Sequence, residues 1–392
     1  MSSQPSINPN EGVKERKLSF KFDMQAYTLA IALVLIAIIF TIFTDGEFLS
    51  SRNLSNLFNQ MSVIAVLAIG MTLIIVAGHI DLSVGSLVGL TGGIAAILQV
   101  WYGWGTFAVF AVTIIIGALL GLWQGWWVAY RGVPAFIATL GGMLIFRGIL
   151  VGISKGQTVA PLEGGFRSLS NSYLPYTAGY ILAAVGVVLL IFFTIRNRKK
   201  RASLGLSLTS GFIDYGKVAV YSAFIFGIVY MLNRYLGMPV PMLVVLVLAG
   251  IFIFVSAKTS FGRSVYAIGG NAEAAALSGI NIKRNVLWVF IFMGALAAVA
   301  GLLLTSRLNA ATVGAGEMYE LDAIAACVIG GTSLMGGKGK IFGSLIGALI
   351  MASIDNGMSM MNIETFWQYI VKGLILTLAV WLDISSKKRA AV

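Results

Sequence analysis

Phe261-Gly-Arg-Ser-Val-Tyr-Ala-Ile-Gly-Gly-Asn-Ala-Glu-Ala-Ala-Ala-Leu-Ser-Gly-Ile-Asn-Ile-Lys-Arg284 is a polar stretch in a chain that is otherwise almost entirely apolar. It separates two long apolar runs, residues 239–256 and 285–306. Each run has about the length that an α-helix needs to cross a lipid bilayer. The stretch therefore divides the sequence into separate membrane-spanning elements.

The middle of this stretch predicts a short capped helix. Asn271 suits the N-cap, because its side-chain oxygen can accept a hydrogen bond from a free backbone N–H, and Glu273 stands in the first turn, where the helix dipole favours an anion. Residues 272–278 are good to fair helix formers, and Gly279 fits a left-handed stop. A two-turn helix is marginal alone in water. It either packs on its own protein as a capped loop or docks into a soluble partner.

Composition excludes a soluble globular protein. Of the 392 residues 58% are hydrophobic and only 11% are charged, whereas soluble domains carry about 25% charged residues. Cys327 is the only cysteine and His79 the only histidine, so neither an internal disulfide nor a multi-histidine metal site is possible. We expect no cofactor. The first apolar run is long enough to remain as an anchor, so we expect no cleaved leader.

Apolar runs predict an all-α, polytopic bundle of about twelve spans, with ten to twelve as the range because broken or re-entrant helices are expected. The runs are residues 25–44, 60–77, 84–100, 106–127, 134–154, 176–196, 218–236, 239–256, 285–306, 319–331, 341–355 and 365–382. The run 319–331 is short, and whether it crosses the membrane decides the count.

The positions of the basic residues test this topology. With twelve spans and the amino terminus inside, 20 of the 27 Lys and Arg residues face the cytoplasm, as the positive-inside rule requires. Without a crossing at 319–331, Lys338 and Lys340 would lie outside. The predicted organisation is then one permease domain, residues 25–382, between two cytoplasmic tails, residues 1–24 and 383–392. Residues 257–284 form a cytoplasmic loop within the permease domain. The net charge of +12 thus reflects topology, and we expect no nucleic-acid partner.

Charged residues at membrane depth need a structural or functional reason, because burying a charge in hydrocarbon is costly. Asp81 precedes the run 84–100, while Glu320 and Asp322 open the run 319–331. Either the aspartates cap the helices that follow them, or broken helices line a polar pathway. Arg147 and Lys372 lie within spans. These bases either pair with the acids or extend to a membrane interface.

Signatures of catalysis and nucleotide binding are missing. The run Gly336-Gly-Lys-Gly-Lys340 has neither the earlier glycine nor the following Ser or Thr that a phosphate-binding loop needs. His79 would be the only possible histidine base, and no Gly-x-Ser-x-Gly elbow supports it. If ATP energises transport, another polypeptide must hydrolyse it.

Several motifs carry a family resemblance. They are Ala68-Ile-Gly-Met-Thr-Leu73, Ile80-Asp-Leu-Ser-Val-Gly-Ser86, Pro134-Ala-Phe-Ile-Ala-Thr-Leu140, Tyr266-Ala-Ile-Gly-Gly-Asn271, Leu277-Ser-Gly-Ile-Asn281 and Glu320-Leu-Asp-Ala-Ile-Ala-Ala-Cys-Val-Ile-Gly-Gly-Thr-Ser-Leu-Met-Gly-Gly-Lys-Gly339. Over nearly its whole length the chain resembles the permease subunits of bacterial ATP-binding-cassette (ABC) sugar importers, the ribose, xylose, arabinose and galactoside group. Residues 176–236 look like an extra pair of spans, which is similar to the D-xylose permeases. His79 departs from the pattern, because most members carry glycine there.

The resemblance implies a non-enzymatic permease of the bacterial inner membrane, homodimeric or paired, that carries a monosaccharide such as D-xylose. A periplasmic binding protein would deliver the sugar, and an ATPase with two fused nucleotide-binding domains would dock from the cytoplasm. The residues that the resemblance places at the ATPase contact are Asn271, Glu273, Leu277, Ser278 and Gly279. The residues that it places along the pathway are Asp81, Ser83, Glu320 and Asp322.

A proton-coupled sugar symporter is the main alternative class, since such proteins often have twelve spans. It should show a basic signature such as Asp-Arg-x-Gly-Arg after the second span, but residues 79–84 read His-Ile-Asp-Leu-Ser-Val. A permease of the same family for ribose, arabinose or galactose is a second alternative. A membrane-embedded enzyme is third, because no catalytic set is present.

Overall fold

The computed structural model describes residues 24–206 and 210–390, and nearly all the regular structure in these ranges is helical. The predicted tail at residues 1–24 lies outside them apart from Met24. The helices are α1 (Met24–Phe43), α2 (Ser51–Val76), α3 (Val84–Val100), α4 (Thr106–Ala129), α5 (Ala135–Ser154), α6 (Gly164–Asn171), α7 (Tyr176–Ser203), α8 (Gly211–Asn233), α9 (Val240–Lys258), α10 (Ser260–Gly270), α11 (Ala272–Leu277), α12 (Ile282–Leu308), α13 (Tyr319–Ile329), α14 (Ile341–Met360) and α15 (Thr365–Ala390). These ranges contain no β-strand, only isolated bridges such as Val159–Ala311.

Nine helices in the described part of the chain are long and apolar enough to cross a membrane. Two shorter apolar helices, Thr28–Phe43 and Val84–Val100, come in addition, and α13 has only 11 residues. The chain is therefore a polytopic, nearly all-helical bundle. The figure of about twelve spans and the cytoplasmic position of both termini stay predictions.

Apolar run length located most helices closely. α3 has the predicted bounds Val84–Val100, and α4, α7, α13, α14 and α15 begin at the predicted residues. α2 differs, because it begins at Ser51 instead of residue 60. The Ser50 hydroxyl accepts a hydrogen bond from the Asn53 N–H at 3.3 Å, and this cap lets the helix include a polar first part.

The centre of the bundle is formed by α2 and α12, most of whose residues are buried. α4 packs on α12 through a face of small residues. A Cβ at Gly117 would meet the Gly294 carbonyl of α12, and a Cβ at Gly121 would meet the backbone of Phe290. Because these glycines lack side chains, the two helices approach backbone to backbone.

The pair α7 and α8 lies at the edge of the bundle, with most of its residues outside the protein core. The two helices pack on each other, and the Arg198 guanidinium forms an ion pair with Asp214 and lies 5.6 Å from the centroid of the Tyr215 ring. Leu232 of α8 joins a small apolar cluster with Phe58 of α2. This pair falls within the extra spans predicted at residues 176–236.

Candidate functional site

The first break in the helices lies between α2 and α3, and Asp81 shapes it. Asp81 Oδ1 accepts hydrogen bonds from the Ser83 backbone N–H at 2.8 Å and from the Ser83 hydroxyl at 2.6 Å. Ser83, not Asp81, is the N-cap residue of α3, and it makes no side-chain cap bond. The prediction that Asp81 caps α3 is therefore wrong. Its buried carboxylate, two residues before the cap, instead holds a local turn.

Neighbouring helices hold this turn in place. Gln124 Nε2 of α4 donates to the Ser83 hydroxyl at 2.7 Å. The Leu82 N–H donates to the Thr139 hydroxyl of α5 at 3.1 Å. The half-buried His79 ring lies 6.1 Å from the ring of Phe290 on α12. Residues of α4, α5 and α12 thus surround the break, and of these Gln124 and Phe290 were not indicated by the sequence pattern.

A second break lies between α12 and α13, and Arg147 of α5 supports it. The Arg147 guanidinium donates to the Val313 carbonyl at 2.5 Å and to the Ala315 carbonyl at 3.0 Å. We predicted that Arg147 either pairs with an acid or extends to a membrane interface. Its contacts with backbone carbonyls match neither prediction. The base satisfies backbone carbonyls that the interrupted helix leaves unpaired, as non-helical backbone at membrane depth requires.

The two breaks meet where α3 and α13 begin. A Cβ on Gly85 would collide with the Gly316 carbonyl and the Glu320 carboxylate, and a Cβ on Gly89 would collide with the Ala315 carbonyl. Glu320 thus lies against the first turn of α3, directly after the turn that Asp81 and Ser83 form, so three of the four predicted pathway residues belong to this junction.

Asp322, the fourth pathway residue, faces a different neighbour. Lys372 Nζ of α15 donates to Asp322 Oδ2 at 2.9 Å and lies 2.9 Å from Asp355 Oδ2 of α14. Asp322 lies inside the first turn of α13, and Met318 is the N-cap residue, so the prediction that Asp322 caps this helix is wrong. Of the two alternatives predicted for Lys372, pairing with one of these acids is confirmed. The role of Asp355 was not predicted, because this residue stood at the expected end of its span.

The predicted short helix is present as α11. The Asn271 side chain accepts from the Ala274 N–H at 2.9 Å, and Gly279 has a φ of 81°, so the predicted cap and stop are confirmed. Glu273 is exposed and the Leu277 side chain is 86% exposed. The Ser278 hydroxyl donates back to the Ala274 carbonyl at 2.9 Å. The helix therefore presents a charged and an apolar side chain to its surroundings.

One element beside α11 was missed. Residues 260–270 form the helix α10, where we expected a loop. Gly269 of α10 lies directly against the Val76 carbonyl at the end of α2 and close to the Gly337 backbone. The Tyr266 hydroxyl donates to the Gly339 carbonyl at 2.7 Å, and burial raises the pKa of this phenol, which keeps it a neutral donor. α10 thus connects α11 to Val76, the last residue of α2, after which the first break starts.

Comparison with known proteins assigns the class. Residues 53–380 match the family described as "Branched-chain amino acid transport system / permease component", and the chain belongs to this family of transporter permeases. It is a multi-pass protein of the inner membrane.

Several relatives can be named. The xylose transport system permease protein XylH of Escherichia coli (strain K12) is 50% identical over 368 residues, which cover 94% of each chain. XylH of Haemophilus influenzae is 51% identical over 94% of this chain and 98% of its own. The ribose import permease protein RbsC of the same species is 37% identical over 93% and 94%. No solved structure matches the chain.

Proposed function

We propose that this chain is the transmembrane permease subunit of an ABC importer that moves D-xylose from a periplasmic binding protein into the cytoplasm. The single observation that carries this proposal is the 50% identity to a xylose transport permease over 94% of both chains. Identity to a ribose permease is lower, at 37%. Xylose is therefore favoured over ribose.

The proposed topology has twelve crossings with both termini in the cytoplasm. α12 has 27 residues and is about 40 Å long, enough to connect both membrane faces. The chain then returns to the face from which α12 started. Ala311, just after α12, pairs with Val159. The loop after α13 reaches the end of α2, where the Gly337 N–H donates to the Val76 carbonyl at 2.9 Å. Residues 309–318 and α13 together make one broken crossing. In this proposal the permease domain is residues 25–382, and residues 1–24 and 383–392 are the cytoplasmic tails.

In the proposed mechanism α11 receives the ATPase. Its contact residues are Asn271, Glu273, Leu277, Ser278 and Gly279. A movement of α11 passes to α10 and, through the close backbone contact of Gly269 with Val76, to the start of the first break. A push of this kind can shift the balance between two packed arrangements of the bundle.

The pathway in this mechanism runs past the junction of the two broken helices. Asp81 and Ser83 shape one break, and Glu320 stands at the start of the other. Asp322, on the same helix as Glu320, anchors α13 to α15 through Lys372. Broken helices expose polar backbone groups at mid-membrane, and such groups suit the hydroxyls of a sugar.

The partners follow from the same proposal. They are an ATPase with two fused nucleotide-binding domains, a periplasmic sugar-binding protein and a second copy of this chain, all assembled in the lipid bilayer. The chain contributes no nucleotide-binding loop, because residues 332–341 do not fit one.

Reconstitution tests the proposal. The chain, its ATPase and its binding protein are placed in liposomes, and uptake of labelled xylose, ribose, arabinose and galactose is measured. We expect xylose uptake that needs internal ATP and survives collapse of the proton gradient. Uptake by the chain alone, driven by a proton gradient, would make it a symporter instead. Preferential uptake of another sugar would leave the class intact and reject xylose.

Cysteine labelling tests the topology. In a Cys327→Ala background, which removes the only native thiol, Asn281→Cys should react with a membrane-impermeant maleimide only after the cytoplasmic side is opened. Glu163→Cys, between α5 and α6, should react in intact cells. The reverse pattern would invert the proposed orientation.

A further inference from the structure

A groove between α10 and α12 opens beside α11. Its volume is about 430 Å³, and its lining includes Ser260 and Ser264 of α10 and Arg284, Asn285 and Trp288 of α12. Water occupies about 30 Å³ per molecule, so the groove is much larger than one carboxylate would fill. It lies apart from the junction of the broken helices and has no part in the proposed pathway.

Arg284 gives one end of the groove a positive charge. In the described ranges its guanidinium forms no ion pair or side-chain hydrogen bond. The surrounding loop is basic: residues 257–284 contain Lys258, Arg263, Lys283 and Arg284 against the single acid Glu273. The hydroxyls of the two serines add neutral donors. This end of the groove is therefore suited to an anion that also accepts hydrogen bonds.

The other end of the groove is aromatic. Trp288 lies one helical turn beyond Arg284, which is about 6 Å further along α12. The ring of Trp288 lies 5.7 Å from the ring of Phe292, and the ring of Phe261 lies 5.5 Å from the same ring. Tryptophan beside a basic residue at the end of a spanning helix is typical of the membrane–water interface. The groove thus passes from a cationic end to an apolar end over the depth of a lipid headgroup.

We propose that this groove binds the anionic headgroup of a phospholipid from the cytoplasmic leaflet. Arg284 and the serine hydroxyls bind the phosphate, and Trp288 and Phe261 contact the glycerol and the first part of the acyl chains. The proposal rests on the proposed function for the cytoplasmic position of residues 257–284. An acidic side chain of the ATPase is the competing occupant, and it would leave the aromatic end of the groove unfilled.

Native mass spectrometry of the full-length chain tests the site. The protein is purified in detergent, incubated with equal amounts of phosphatidylglycerol and phosphatidylcholine, and the retained lipids are counted. We expect wild-type protein to retain phosphatidylglycerol preferentially. Arg284→Gln should lower that retention about fivefold, the effect of one basic side chain near a membrane surface. Arg263→Gln, with the same charge change in the same loop but outside the groove lining, should retain phosphatidylglycerol as the wild type does.

A second variant, which fills the groove, tests the site even if Arg284→Gln fails to fold. Ser264→Phe should reduce retention of both lipids, because it occupies the cavity. Equal losses in Arg284→Gln and Arg263→Gln would overturn the proposal, since the effect would then be diffuse charge. It would also be overturned if Arg284→Gln weakened ATPase binding and left lipid retention unchanged, while the proposed transport function would stand. If the reconstituted wild-type protein showed no xylose uptake, the transport proposal would be rejected, and the lipid measurement would still stand.

Discussion

Lys372 of α15 and Asp322 of α13 form an ion pair with 2.9 Å between Nζ and Oδ2, and the Asp322 side chain has no exposure to solvent. Asp355 shares the same ammonium group at 2.9 Å. Among the residues that the structure describes, the Oδ1 atoms of both aspartates have no hydrogen-bond partner. One lysine thus compensates two buried carboxylates and attaches the outer helix α15 to the half-length helix α13.

Lys372→Met should strongly destabilise the protein, because it leaves both carboxylates without a counter-charge. Removing one partner of a buried pair costs about 3–5 kcal/mol. The measurement is thermal unfolding of the purified protein in detergent. Arg198→Met is the control: the Arg198–Asp214 pair is partly exposed, with 23% and 22% of the two side chains accessible, and such pairs contribute about 1 kcal/mol or less. Equal losses of stability in the two variants would contradict a special role for Lys372.

Gly85→Ala should impair transport, because the new methyl group collides with the Gly316 carbonyl and the end of the Glu320 side chain. Glu320 can move aside, but the backbone carbonyl cannot move without opening the junction of the two breaks. Overpacking of this kind costs about 1–3 kcal/mol, and we expect xylose uptake to fall about tenfold.

Two other glycines supply matched controls for Gly85→Ala. Gly141 and Gly148 of α5 have open space where a Cβ would stand, and alanine is the better helix former. Gly141→Ala and Gly148→Ala should therefore keep uptake and membrane insertion. If Gly85→Ala transported normally, the junction would not be a moving or closely fitted part of the pathway.

The chemistry of the first break predicts that Asp81→Ala and Asp81→Asn differ. Asparagine keeps an oxygen that can accept from the Ser83 N–H and hydroxyl, whereas alanine loses both hydrogen bonds. Each bond contributes about 0.5–1.5 kcal/mol, so Asp81→Ala should be less stable than Asp81→Asn by about 1–3 kcal/mol. Thermal unfolding and xylose uptake measure the difference. Equal damage from both substitutions would show that the charge, and not the turn, is what matters.

Run length and the placement of basic residues predicted most helices, because each spanning helix is a local property of the sequence. α3 was predicted residue for residue. α11 was also found, since Asn271 and Gly279 are local start and stop signals. α10 was missed because Gly262, Gly269 and Gly270 look like a loop. Two of these glycines are needed for close packing: a Cβ on Gly269 would collide with the Val76 carbonyl, and one on Gly262 would collide with the Ser256 carbonyl.

The tertiary partners of the charged residues were beyond the reach of the sequence. Pairing of Lys372 with Asp322 was one of two predicted alternatives, but nothing in the sequence indicates that Asp355, in another span, shares the same ammonium group. Arg147 was noted as a charge in a span, but its partners are the carbonyls of Val313 and Ala315, which look like any other backbone groups. Only the packing of α13 against its neighbours identifies these contacts.

Glu273→Arg tests the charge on α11. The substitution places a cation in the first turn of a helix, where the dipole disfavours it, and reverses the charge that faces the ATPase in the proposed complex. We expect normal membrane insertion with reduced uptake and reduced stimulation of ATP hydrolysis. Wild-type uptake and ATPase stimulation would refute the assignment of Glu273 to the contact.

Leu277→Ser tests whether α11 is the apolar anchor of the ATPase contact. The Leu277 side chain is 86% exposed, so shortening it should leave the fold of the permease unchanged. A buried anchor in an interface commonly contributes about 2 kcal/mol, which corresponds to roughly 30-fold weaker binding. Titration of the purified ATPase onto the permease in nanodiscs measures this change. Leu204→Ser, at a position 62% exposed just after α7, should bind the ATPase as the wild type does. A loss confined to Leu277→Ser would place the contact at α11, whereas equal affinities for all three proteins would move the ATPase to another surface.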